Sequence, residues 1–229
     1  MPDKSKVSVS QFNKSDRMET TYQILPGGLF IVFEGIDGTG KSTQINLLAD
    51  DLKELGYSVV TTCEPTNGPY GQKIRQLFVN RAAVSHEEEL ELFMADRRQH
   101  VEAVIRPALA MGKVVLSDRY YLSTVAYQGA NGLDPDDILV RNKAFAPIPD
   151  LALILEIEPA VGIHRIQKHR QELPNTFEEE SNLHRVATIF SNLREEYISR
   201  IDASRTVDEV HQQIMLEVKR LLDSKKKAA

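Results

Sequence analysis

A single cysteine, Cys63, stands in 229 residues, so no internal disulfide can form. No apolar run approaches the roughly 18 residues that a membrane-spanning helix needs. No secretory leader with an apolar core is read near the start. Basic residues are no surplus either: 28 Lys and Arg against 33 Asp and Glu leave a net charge of −5. These absences argue against a bilayer anchor, a disulfide scaffold and a general basic surface for nucleic acid or anionic membrane. The cytoplasm is the default expectation, and any phosphate site must be local. Internal repeats and low-complexity linkers are missing as well. What remains is 41% hydrophobic and 27% charged, a globular composition whose length fits one α/β domain, below the roughly 250 residues at which single cores divide.

Against that background stands Gly35-Ile36-Asp37-Gly38-Thr39-Gly40-Lys41-Ser42, a match to G-x-x-x-x-G-K-[ST]. The residues ahead of it, 29–33, are apolar and β-prone; behind it, over 43–49, apolar positions recur at helical spacing. The context is strand, loop, helix. Glycines let successive backbone N–H groups close around a polyphosphate at a helix N-terminus, where orphan donors and the macrodipole both favour anions. Lys41 is expected to reach the β/γ oxygens and Ser42 to offer its hydroxyl to Mg2+. Gly35 to Thr43 is therefore the expected ATP-binding segment.

Residues 1–27 are polar, rich in Ser and Lys and without periodicity, and read as a flexible extension in which Met18 is an alternative start. A strand-and-helix alternation follows: a strand over 57–62, a short helix over 71–79, a long one over 86–111 and a last amphipathic one over 207–222. Near-continuous apolar runs at 113–118 and 151–156 mark strands covered on both faces, which belong at the centre of the sheet. The pattern predicts an α/β fold, a three-layer sandwich around a mostly parallel, five-stranded sheet. Lys225-Lys226-Lys227 reads as part of a solvated basic tail over 225–229, leaving 28–224 as the domain.

In doubly wound sheets ligands collect beyond the carboxyl ends of the strands. There the expected strands deliver Glu34 with the loop, Glu64-Pro65, Asp118-Arg119-Tyr120, and Glu156 to Glu158. Asp118 can hold Mg2+ directly or through water, and the planar guanidinium of Arg119 can grip a phosphate bidentately. The alternative is a plain surface pair between the two. Phe93 and Arg97, four residues apart, project from one helix face; a planar base can stack on the ring while the guanidinium donates to a base carbonyl. Core residue plus surface charge is the plainer alternative. Ser123-Thr124 and Tyr127-Gln128, taken singly, read as ordinary helix residues.

The stretch from Val115 through Asp118-Arg119-Tyr120 to Tyr127-Gln128 closely resembles the signature of thymidylate kinases. The segments 34–43, Glu64-Pro65, Leu92 to Arg97 and Ile201 to Ser204 resemble that family's other blocks, in its order. The resemblance covers about residues 29–220 and implies a P-loop NTPase-type fold that phosphorylates dTMP with ATP and Mg2+. It implies that Phe93 stacks on thymine, Arg97 donates to a base carbonyl, Thr124 and Gln128 lie near the base edge, and Tyr127 crowds the sugar 2' position. Asp37 would contact the sugar 3'-OH, Arg75 and Arg119 would hold the acceptor phosphate, and Glu64-Pro65 would form its wall, with a strained or cis bond. Ala203-Ser204-Arg205 would edge the adenine pocket. One class of the family carries an arginine in the phosphate loop; the other has glycine there and its arginines on a lid. Gly38 implies the second class, with a lid around 160–180 and Arg165 and Arg170 as its catalytic candidates, against a basic solvated helix face. Pro174-Asn175-Thr176 departs from the family's lid pattern, and the stretch between Tyr197 and Ile201 is shorter than usual. A homodimer is also implied.

A regulatory GTPase would need an N-K-x-D guanine reader, and Asn142-Lys143-Ala144-Phe145 lacks the aspartate. A kinase of another nucleotide or nucleoside on the same fold is the nearer alternative, since pocket shape decides the acceptor. A degenerate nucleotide-binding partner is suggested only by the lid, and intact Lys41, Ser42, Asp118 and Arg119 argue against it.

Overall fold

The computed structural model describes residues 22–77, 84–170 and 180–228. Five strands, β1 (Leu29–Glu34), β2 (Val59–Cys63), β3 (Val114–Asp118), β4 (Leu151–Glu156) and β5 (Ile198–Asp202), form one sheet in the order β2-β3-β1-β4-β5, every pair parallel. The two apolar runs expected at the centre, β3 and β4, flank β1. Alternation along the strands divides the core. Leu29, Ile31, Phe33, Leu116 and Leu153 face α1 (Lys41–Glu54) and α9 (Val207–Ala228) on one side of the sheet. Phe30, Val32, Val115, Ala152 and Ile154 face the other side, where α5 (Tyr121–Ala130) and α8 (Glu180–Asn192) pack. This is the expected three-layer sandwich.

Four helical segments fill the connections between strands: α2 (Pro69–Leu77), α3 (His86–His100), α4 (Arg106–Ala110) and α6 (Pro135–Lys143). A further helix, α7 (Pro159–Arg170), crosses from β4 toward α8. The single long helix expected over 86–111 is instead α3 and α4 joined by a π turn, Val101–Ile105. Pro107 carries no N–H for the carbonyl one turn earlier, so the regular ladder cannot run through that point.

Both ends of the domain differ from the expectation from composition. Within the stretch read as extension, residues 22–27 dock on the domain: the Gln23 N–H donates to Gly56 O at 2.7 Å and the Leu25 N–H to Gly112 O at 3.1 Å. Leu25 joins the core. Residues 1–21 lie outside the described ones. At the other end the solvated tail is helix, because α9 runs to Ala228 and Lys225 pairs with Asp150 at 2.8 Å.

Candidate active site

β1 ends in the glycine-rich loop, and α1 begins at Lys41 directly behind it. Gly38 shows why the motif needs glycine: its φ is +81°, and a Cβ there would lie 2.3 Å from Gly162 O on α7. A side chain at this position would have to displace α7. The Thr39 hydroxyl closes the loop on Ile36 O at 3.0 Å. Buried Lys41 donates to Gly35 O at 3.1 Å and Ile36 O at 2.9 Å, leaving one of its three N–H bonds for a phosphate oxygen. Burial, and then the nearby Arg119 charge, lower its pKa to about 8. Ser42 Oγ donates to Asp118 Oδ2 at 2.5 Å, across the β1–β3 pair that sets Phe33 opposite Asp118.

Immediately after Asp118 the chain turns through Arg119, the one non-glycine with positive φ among the described residues, at +70°. Such a conformation costs about 1–3 kcal/mol and persists only where its surroundings enforce it. The Arg119 N–H donates to Phe33 O at 2.8 Å, and its carbonyl accepts the Ser117 hydroxyl at 2.8 Å. Nη1 donates to Gly35 O at 3.2 Å and Ser123 Oγ at 2.9 Å; Nη2 donates to Asp37 Oδ1 at 2.6 Å and Tyr127 Oη at 3.2 Å. Tyr127 Oη in turn reaches Asp37 Oδ2 at 3.2 Å. The loop, the β3 turn and α5 thus meet at one guanidinium. The alternative of Asp118 and Arg119 as a surface pair is not what forms: Arg119 pairs with Asp37, and Asp118 with Ser42.

Opposite the loop, the Glu64–Pro65 peptide is cis. Arg75 donates to Pro65 O at 2.6 Å and Thr66 O at 2.5 Å. Asp96 accepts from Thr66 N–H at 2.8 Å and Thr66 Oγ1 at 2.6 Å. Arg97 is buried, with Nη2 donating to Glu64 Oε2 at 2.5 Å and Thr124 Oγ1 at 2.9 Å, and Nη1 donating to Asn142 Oδ1 at 2.6 Å. Its Nε–H is buried with no partner in the protein. His100 Nδ1 lies 2.9 Å from the second Glu64 oxygen, and its Nε2 lies 2.7 Å from Thr62 Oγ1. Asp96, His100 and Asn142 were absent from the sequence-derived set: Asp96 stands within the family-like block 92–97 without an assigned role, and no local spacing links His100 or Asn142 to Glu64 and Arg97.

A cavity of 360 Å³ joins these two walls, lined by Lys41, Ser42, Asp118, Arg119, Glu64 and Arg75 among others. The structure brings together there most of the residues that the sequence assigned to ATP, metal and acceptor phosphate. Phe93 is half-buried on α3, outside that lining. Gln128 is fully buried and donates to Glu89 Oε1 at 3.1 Å, while its carbonyl takes the Asn131 amide at 3.1 Å. Arg165 donates to Ala203 O at 3.0 Å, on the loop after β5, rather than into the cavity. The side chain of Arg170 and residues Pro174, Asn175 and Thr176 lie outside the described ones. A larger cavity, 520 Å³, opens beyond Gly35 and Ile36 between the ends of β4 and β5 and α8. Glu156, Glu158 and Asp202 line it, with Glu156 paired to Arg200 and Asp202 to Arg205 at 3.2 Å.

An anion-gripping loop at the carboxyl edge of a parallel sheet, faced by a second cationic wall, is how a P-loop kinase sets two phosphates against each other, and fold and site together define that class. Within it, the chain belongs to the thymidylate kinase family. That family's profile, described as Thymidylate kinase, matches residues 33–214. The Thymidylate kinase of Desulfotalea psychrophila is 54% identical over 195 residues, which is 85% of this chain and 96% of that protein. The Thymidylate kinase of Xanthomonas euvesicatoria pv. vesicatoria is 48% identical over 193 residues, 84% of each chain, and that of Xanthomonas campestris pv. campestris 47% over the same length.

Proposed function

We propose that this chain transfers the γ-phosphoryl group of ATP to dTMP, giving dTDP and ADP. The observation that carries the reading is one cavity with Lys41, the phosphate loop and Arg119 on one wall and Arg75 beside Glu64-Pro65 on the other, in a chain 54% identical to a thymidylate kinase across 96% of that protein. Phosphoryl transfer asks the protein for little covalent chemistry. It asks that donor and acceptor be held in line, their charges neutralised, and water kept out. The loop N–H groups and Lys41 hold the donor phosphates; Arg119 and Arg75 take the acceptor phosphate.

Ser42 and Asp118 offer a hydroxyl and a carboxylate oxygen side by side, hard donors of the kind Mg2+ takes when substrate phosphates complete its shell. When bound, that ion supplies positive charge to the phosphate oxygens.

On the acceptor side Arg97, fixed by Glu64, Thr124 and Asn142, reads a base carbonyl with its unpartnered Nε–H, and Phe93 one turn earlier gives the stacking surface. Tyr127 and Asp37, bonded to each other and to Arg119, place the sugar beside the phosphate-binding guanidinium. Gln128 acts on the base edge from behind, through the buried Glu89 pair. Arg165 and Arg170 belong to the lid, whose charge completes the neutralisation. The enzyme is a cytoplasmic homodimer in this reading, which light scattering tests for assembly. ADP release measured in parallel with dTMP, dUMP, dCMP, AMP and thymidine tests the reaction: dTMP should be preferred, and preference for any other acceptor overturns the assignment.

A further inference from the structure

Glu34 is the last residue of β1 and is wholly buried beneath the loop that it introduces. A carboxylate in such a place must have its oxygens paired. Oε1 accepts the Tyr120 N–H at 3.0 Å, and Oε2 accepts the Ser123 hydroxyl. Ser123 Oγ is the same atom that accepts Arg119 Nη1–H at 2.9 Å. One carboxylate therefore touches both the backbone and the side-chain support of the only left-handed non-glycine among the described residues. Backbone strain of this kind needs over-determination by its neighbours: Phe33 O takes the Arg119 N–H, Ser117 Oγ the Arg119 carbonyl, and Glu34 the next N–H along.

We propose that Glu34 is a positioning residue for phosphoryl transfer: it fixes the turn through the Tyr120 N–H and, through Ser123, aims the Arg119 guanidinium into the phosphate cavity. The proposal rests on the reading of Arg119 as a phosphate ligand. Glu34 itself lies outside the lining of the phosphate cavity. Charged groups reach it from three elements, Arg119 from the β3 turn, Arg97 from α3 and Lys41 from α1, with the Tyr197 phenol at the approach to β5. Burial, opposed by Ser123 and the two arginines, pushes its pKa up to about 7. Proton gain there removes the negative charge behind Arg119 and obliges the Ser123 hydroxyl to reverse, since the Tyr120 N–H cannot.

The test compares Glu34→Gln, Ser123→Ala, Arg119→Ala and the double variant of Glu34 and Arg119, in the full chain with ATP, Mg2+ and dTMP. Glu34→Gln keeps an acceptor for the Tyr120 N–H and an isosteric fit, so it folds where Glu34→Ala could fail. It should lower kcat at least about tenfold through misplacement of Arg119 while KM for ATP changes less than about twofold. The acid limb centred near pH 7 in the kcat profile should vanish in Glu34→Gln, while any limb set by ionisation of the substrate's own phosphate stays. Ser123→Ala should lower kcat in the same direction. In the Arg119→Ala background Glu34→Gln should add little, the signature of two residues acting as one unit. Parent kcat and an unchanged pH profile in Glu34→Gln, with Arg119→Ala strongly impaired, overturn the proposal even if the variant melts earlier. Arg119→Ala with parent turnover overturns the phosphate reading of Arg119 first, and the role of Glu34 falls with it.

Discussion

Lys41 and Glu34 are opposite charges forced into the same dry layer under the phosphate loop, and each answers burial by shifting toward neutrality, to about 8 and about 7 respectively. Lys41 is legible from sequence because its chemistry lies within one continuous motif. Glu34 is visible only as a strand end, since Ser123 and Tyr120 meet it from nearly ninety positions away. Asn142 is a sharper case: in sequence it heads a failed guanine-reader motif, and in the fold its amide holds Arg97 at 2.6 Å. No local spacing can reveal a contact that only the packing of α6 on α3 creates. Stability should carry the mark of Glu34. Its raised pKa means the folded chain binds a proton that the unfolded chain releases between the ordinary carboxyl value of 4.5 and about 7, so this contribution is present at low pH and lost as pH rises. Glu34→Gln lacks that term, and thermal melts from about pH 5 to about pH 8 should therefore shift in the variant's favour relative to the parent as pH rises. A pH-independent difference would mean that Glu34 stays ionised throughout.

At the scale of elements, strands were the most readable part, because β1, β3 and β4 are covered on both faces and so are apolar almost throughout. Helix interruptions were less so: one unbroken helix is expected over 86–111 despite Pro107, because whether a helix stops or widens at a proline depends on what packs around it. Helix α3, on which Phe93 and Arg97 lie, starts with a full capping box. Ser85 Oγ accepts the Glu88 N–H at 3.2 Å and Glu88 Oε2 accepts the Ser85 N–H at 2.8 Å. Ser85→Ala should cost about 1 kcal/mol of stability, read as a lower denaturant midpoint. Fraying of the first turn should raise KM for dTMP, since Phe93 and Arg97 ride on α3, with KM for ATP unchanged. At the loop the geometry is harsher. Gly38→Ala combines a left-handed backbone with a Cβ 2.3 Å from Gly162 O; α7 must then move, and the expected result is loss of ATP binding in titration calorimetry with the far-UV spectrum retained.

For the molecule as a whole, the strand order decides where chemistry can happen. β1 lies between β3 and β4, so its loop opens at the point where successive connections leave the sheet in opposite directions. Helices α3 and α5 on one face bring Arg97, Thr124 and Tyr127 to the same edge, while α1 brings Lys41 and Ser42 from the other. Two subsites built from different layers should report separately on ligand binding. A ligand that binds only the folded state stabilises it by about 2.7 kcal/mol at a hundredfold excess over Kd, so ATP-Mg2+ and dTMP should each raise the melting temperature of the parent chain. Lys41→Met should abolish the shift caused by ATP-Mg2+ and leave that of dTMP. Arg97→Leu, which swaps a buried cation for an apolar side chain and leaves Glu64 to His100, should do the reverse. Loss of both shifts in either variant would mean that the two layers form one indivisible site; retention of both would remove Lys41 and Arg97 from ligand contact, and with Lys41 the cavity that it lines as the place of transfer.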